Sequence, residues 1–133
     1  MISQSLDTNV LLRLIYKEEL PVQHKLAKDL VLDSGGRFYV SDVTLFEFVY
    51  ALETHYLHSR SEVSYIVATL LGISSINCNE ELTALTLELY GEHKSLSYAD
   101  CYMASSASFM NATPLWTFDK DLAKKARSAE LLT

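Results

Sequence analysis

The chain has little of what several special classes of protein require. Only 4 of its 133 residues are glycine and 49% are apolar, which excludes a disordered or low-complexity chain and leaves a globular one. Its only cysteines, Cys78 and Cys101, stand at no spacing that suits a metal or a disulfide framework. Both are expected as reduced core thiols of a cytoplasmic protein. No apolar run approaches the roughly 20 residues of a membrane span, so no membrane association is expected. Met1-Ile2-Ser3-Gln4 lacks the basic start and the long apolar core of a signal peptide. Positive charge is also scarce. Against 17 Asp and Glu there are 11 Lys and Arg, a net charge of −6, which argues against indiscriminate electrostatic binding to nucleic acid. It leaves room for a nucleic-acid enzyme, because acids gathered at one metal site would supply much of the excess.

What the chain does contain is an alternation of short β-forming runs with helical patterns. Its length fits one domain, residues 1–133. The run from Met1 to Leu6 reads as a strand, and a helix begins near Thr8 or Asn9. Pro21 suits the first turn of a second helix, which Gly35-Gly36 ends. Phe38-Tyr39-Val40 is a strand of β-formers. Ser41-Asp42-Val43-Thr44 opens a third helix, and a fourth spans Arg60 to Leu71, capped near Ser59 or Ser61 and stopped by Gly72. Ile73 to Ile76 reads as a third strand. Asn79 caps a fifth helix and Ser97 a sixth, which runs to about Asn111. Leu115-Trp116-Thr117-Phe118 is a fourth strand, and Leu122 to Ala126 a last short helix. Strands separated by helices predict a mostly parallel sheet covered on both faces.

The acids recur at equivalent places in this pattern. Asp7 and Asp119 each follow a strand and precede a helix, the edge where open α/β sheets bind ligands. Glu47 lies in the third helix between Phe46 and Phe48, and Asp100 lies in the first turn of the sixth. Each has a purely structural alternative. Asp7 and Asp119 suit helix N-caps, and Thr44–Glu47 and Ser97–Asp100 both have capping-box spacing. Four acids on one sheet edge nevertheless repel one another unless cations neutralise them, and hard cations such as Mg²⁺ or Mn²⁺ suit such oxygen ligands. Convergence of the four on one metal pocket is therefore expected.

Leu6-Asp7-Thr8-Asn9, Val43-Thr44-Leu45-Phe46-Glu47, Leu96-Ser97-Tyr98-Ala99-Asp100 and Thr117-Phe118-Asp119-Lys120-Asp121 resemble the signature blocks of PIN-domain ribonucleases, VapC-type toxins of toxin–antitoxin pairs above all. The resemblance covers nearly the whole chain, in the family's order and spacing. It implies a three-layer α/β/α fold with a mostly parallel sheet of four or five strands. It also implies Asp7, Glu47, Asp100 and Asp119 as catalytic, Mg²⁺- or Mn²⁺-binding acids, with Asn9 and Thr117 in support. A homodimer, an RNA substrate and a small antitoxin partner follow from it too. Asp42 departs from the family, which often has a small neutral residue there. Asp121 is expected to face solvent or to cap the last helix. The tail from Ala126 has no clear Gly turn before Leu131-Leu132, which speaks against a closing edge strand.

Two further signals carry less. His55 and His58, near Glu53, lack the spacing of a helical zinc site and are expected to be exposed. Lys120, Lys124, Lys125 and Arg127 form a small basic cluster beside Asp119, either a solvated helix face or a contact to RNA phosphates, Lys120 and Lys124 foremost. For assembly, Val10, Leu11, Leu14 and Ile15 on the first helix, with Phe48, Leu52, Tyr56, Tyr65 and Ile66 on the third and fourth, are expected to form the dimer interface. The rival functions are an aspartate-based phosphohydrolase, a phospho-accepting receiver module and an inactive RNA-binding domain. Asn9 stands where the phosphohydrolase would want a second acid.

Overall fold

The computed structural model describes residues 3–133, and by its contacts the chain divides into two compact units, one ending at Cys78 and the other running from Asn79 to Thr133. The architecture is mixed α/β, with seven α-helices and five short strands among the described residues. Every strand pairs in parallel, three strands in the first unit and two in the second.

In the first unit, β1 (Gln4–Ser5), β2 (Phe38–Tyr39) and β3 (Ile76–Asn77) lie side by side in that order. Gln4 is in register with Phe38, and Phe38 with Ile76. The ladder continues past the strand ends through Leu6 N–H to Tyr39 C=O (3.0 Å) and Val40 N–H to Asn77 C=O (2.8 Å). Strand β1 is shorter than the expected Met1-to-Leu6 run, of which Met1 and Ile2 lie outside the described residues. Strand β3 starts later than expected, because Ile76 N–H closes a turn onto Ile73 C=O at 3.0 Å.

The helices of this unit follow their apolar spacing. Helix α3 (Asp42–Thr54) buries Leu45, Phe48, Val49 and Leu52, the i, i+3, i+4, i+7 stripe of a core-facing helix. Helix α4 (Arg60–Leu71) buries Val63, Val67 and Leu70. Helix α1 (Thr8–Ile15) buries Leu11 and Leu12. Helix α2 (Pro21–Lys28) opens on Pro21 with no side-chain cap and runs on into a π-helical turn, Asp29–Asp33. Gly35 then takes φ +76°, a left-handed conformation that a side chain would strain. Beside it, a Cβ on Gly36 would meet the Phe38 ring at 3.0 Å. Because Leu11, Phe48 and Leu52 are fully buried within the chain (each 0% exposed), they drop out of the expected dimer interface.

An aromatic cluster joins the ends of α1 and α3. The Tyr16 ring lies flat on Tyr56, with centroids 3.7 Å apart and planes 2° apart. The Tyr16 hydroxyl is 2.5 Å from His58 Nε2, and the Tyr56 hydroxyl donates to the Glu19 carboxylate. Arg13 ties the group together, 3.5 Å from Glu19 and 3.4 Å from the Tyr56 hydroxyl. His58 is therefore a partner in a packed cluster, not the exposed residue expected; its side chain is 23% exposed, against 71% for His55. Burial, reinforced by Tyr56, Glu19 and Glu62, pushes the Tyr16 hydroxyl up to about 12, and burial also raises Tyr56. A phenol whose folded value exceeds its unfolded value of about 10 stabilises the fold below that pH and loses the contribution as pH rises toward 12. Denaturant unfolding in this alkaline window is expected to show falling stability. Tyr16→Phe should flatten the slope, and an unchanged slope would show that Tyr16 is not its source.

In the second unit, α5 (Glu80–Glu92) and α6 (Tyr98–Phe109) pack on each other, with the Tyr90 and Tyr98 rings edge to face at 5.7 Å. Cys101 is buried in α6, and neither Cys78 nor Cys101 forms a disulfide. Strand β4 (Leu115–Thr117) leads through α7 (Lys120–Lys125) to β5 (Ala129–Leu131), which lies parallel to β4 with Trp116 opposite Glu130. The closing strand that the tail argued against is thus present. Helix α7 begins at Lys120, ahead of the expected Leu122, because Asp119 caps it.

No helix among the described residues is long and apolar enough to cross a membrane.

Candidate functional site

In the first unit the structure ties Glu47 to Thr8, the residue that follows Asp7. Asp7 is the N-cap of α1, its Oδ1 accepting from Val10 N–H at 3.1 Å. Thr8, the next residue, donates its hydroxyl to Glu47 Oε2 at 3.0 Å and lies 3.5 Å from Thr44 C=O. With Tyr16 stacked on Tyr56 at their far ends, α1 and α3 run alongside each other in the same direction.

The expected Thr44–Glu47 capping box does not form. Ser41 is the N-cap of α3 and its Oγ accepts from Thr44 N–H at 3.1 Å, so Glu47 lies a turn too far along to reach the cap. Glu47 is also exposed, not close to the buried side as its apolar neighbours suggested: Phe48 turns into the core while Phe46 is 43% exposed. Relieved of a capping role, Glu47 is held by a residue 39 positions away. Asp42 stands at the first position of α3 and is not its cap.

In the second unit, Asp100 is part of a true capping box: its own N–H donates to Ser97 Oγ at 3.0 Å, and its Oδ2 accepts from Ser97 N–H at 3.3 Å. Asp119 caps α7, its Oδ1 accepting from Asp121 N–H (2.9 Å) and Leu122 N–H (3.1 Å). Thr117 Oγ1 accepts from Asp119 N–H at 2.9 Å and so fixes the turn that presents this acid. Asp121 is occupied elsewhere. Ser95 donates to its Oδ2 at 2.5 Å and Lys125 lies 2.9 Å from Oδ1, and together they hold its carboxyl below the usual carboxylate range. Asn9, exposed on α1, lines a groove of about 250 Å³ with Val10, Arg13 and Leu26 and makes no described contact to Asp7.

Asp7, Asp100 and Asp119 thus each cap a helix, Glu47 is held by Thr8, and among the described residues each does so through a single oxygen: Oδ1 of Asp7, Oε2 of Glu47, Oδ2 of Asp100 and Oδ1 of Asp119. Among the described residues none of the four is in an ion pair, whereas Glu19 pairs with Arg13, Asp29 with Lys25 and Asp121 with Lys125. Among the described residues no three His, Cys, Asp or Glu side chains gather as a ready metal-binding group. The chemistry of each side chain nevertheless suits a hard cation: a carboxylate fixed through one oxygen and, among the described residues, paired with no cation. What sequence reasoning missed is Thr8, whose hydroxyl orients Glu47; its place beside Asp7 was the only signal.

A family model described as the PIN domain matches residues 5–128. No curated protein matches the chain. The chain belongs to the PIN-domain family, whose members are in general nucleases that hydrolyse nucleic-acid phosphodiesters and use divalent metals.

Proposed function

We propose that the chain, acting as one PIN-like domain, is a metal-dependent endoribonuclease and the toxin of a toxin–antitoxin pair in the cytoplasm. The observation that supports this most is the common state of Asp7, Glu47, Asp100 and Asp119, each oriented through one oxygen and none neutralised by a described cation. These four would hold Mg²⁺ or Mn²⁺. Such an ion, when bound, supplies an activated water and stabilises charge on the leaving oxygen. The chain's own part is to position carboxylates. Thr8 fixes Glu47, Thr117 fixes the turn at Asp119, and the Ser97 box fixes Asp100. A carboxylate within reach of the attacking water can also take its proton. A homodimer is part of the proposal, with Tyr65 (73% exposed), Ile66, Val10, Leu14 and Ile15 as its apolar contribution. So is an antitoxin that blocks the acids.

The test is cleavage of an end-labelled RNA by the purified protein under exhaustive chelation, followed by return of Mg²⁺ or Mn²⁺. Cleavage is expected only after the metal is returned. Cleavage that survives chelation would overturn the metal requirement, and a phosphorylated Asp7 would favour the phosphohydrolase.

A further inference from the structure

Strand β4 and the residue just past it turn two aromatic rings, Trp116 and Phe118, to solvent. Leu115 and Thr117 are half-buried, while Trp116 is 55% and Phe118 78% exposed, so the odd-numbered face packs and the even-numbered face does not. The neighbouring strand extends this face. Glu130 lies in register with Trp116, and Leu132, 45% exposed, donates its N–H to Thr117 C=O at 2.8 Å. An exposed phenylalanine gains nothing from burial, and this one immediately precedes Asp119.

The charges beside this face are asymmetric. Lys120 and Lys124 are exposed and one turn apart on α7, and neither is in an ion pair among the described residues. Their neighbour Lys125 is engaged by Asp121 and by the Ser95 hydroxyl. At the other end stands the Glu130 carboxylate, which repels phosphate.

We propose that Trp116 and Phe118 are a stacking platform for unpaired bases of the RNA, with Lys120 and Lys124 receiving the phosphates next to Asp119. The inference rests on the nuclease reading for its substrate, and it adds the residues that grip the strand. Bases suit the site because every base offers a π-face, so rings on a strand bind single strands with little sequence preference. A duplex keeps its bases stacked on one another and cannot use the rings.

Trp116 is the only tryptophan in the chain, so its emission reports directly on the platform. The experiment titrates the full chain, in chelator so that RNA stays intact, with single-stranded oligouridylate and with an RNA duplex of the same length. Saturable quenching by the single strand, and much less by the duplex, is the expected result. Phe118→Ala should raise Kd about tenfold and Phe118→Tyr should restore it. Lys120→Ala with Lys124→Ala should weaken both RNAs and lower the salt dependence by about 0.7 in slope per lysine for the single strand.

Equal quenching by the duplex, or a Kd indifferent to Phe118, would overturn the platform. So would emission that shifts with protein concentration alone, which would show a second copy covering the face. If RNA is cleaved without quenching, the platform fails and the nuclease stands. If quenching depends on Phe118 but no metal supports cleavage, the nuclease reading fails and the platform stands as an RNA-binding surface.

Discussion

Asp100→Asn is expected to cut RNA cleavage by at least about 100-fold while leaving the metal-free fold as stable as the parent's. The two consequences separate because the capping box uses atoms that asparagine keeps. The residue's N–H still donates to Ser97 Oγ, and an amide oxygen can accept from Ser97 N–H as the Oδ2 atom does at 3.3 Å. What the variant lacks is a charge. If that charge serves a cation, the stabilisation that added Mg²⁺ or Mn²⁺ gives the parent through binding linkage will largely disappear. If it serves only the helix, asparagine costs a few tenths of a kcal/mol through the lost charge–dipole interaction, and both activity and metal response persist. Thermal melts with and without metal, run beside a cleavage assay, tell these apart. Near-parent cleavage would remove Asp100 from the site.

The largest effect on stability is expected one residue beyond Glu47. Phe48 is fully buried (0% exposed) on the stripe of α3 that also carries Leu45, Val49 and Leu52. Phe48→Ala deletes a ring from a packed core and should cost about 3–5 kcal/mol. Against a typical total of about 5–15 kcal/mol this brings a domain close to unfolding. For a chain of this size it corresponds to a fall in Tm of roughly 10–20 °C. Phe46→Ala, at a site 43% exposed on the same helix, is the control and should change stability by less than about 1 kcal/mol. Denaturant unfolding with an unchanged m-value would confirm a change in stability. Equal effects at the two positions would mean that α3 presents its faces otherwise.

The helices were readable from the chain because their signals are local. Ser41, Ser59, Asn79 and Ser97 each sit just before an apolar stripe, and each caps its helix. The strands were harder because they are two or three residues long, too short for a period of two to show itself. β5 was argued against for want of a glycine turn. A parallel strand needs no tight turn; it needs a crossover, and α7 provides it, with Leu115 N–H meeting Ser128 C=O at 2.7 Å on the return. Within the site, the capping roles of Asp7, Asp100 and Asp119 were legible as local spacing. The bond from Thr8 to Glu47 and the stack of Tyr16 on Tyr56 join residues 39 and 40 positions apart, and no local pattern announces them.

The parallel pairing of the first unit also governs the order in which this protein is made. Gln4 must wait for Phe38, and Phe38 for Ile76, and no hairpin can bring either pair together early. Closing such loops costs chain entropy before two-residue strands return a few hydrogen bonds, so the helices between them must organise first. Gln4 and Ser5 leave the ribosome about 34 residues ahead of their partner, which at about 5–20 residues per second is a delay of roughly two to seven seconds. For that interval β1 is an unpaired edge open to whatever the nascent chain meets.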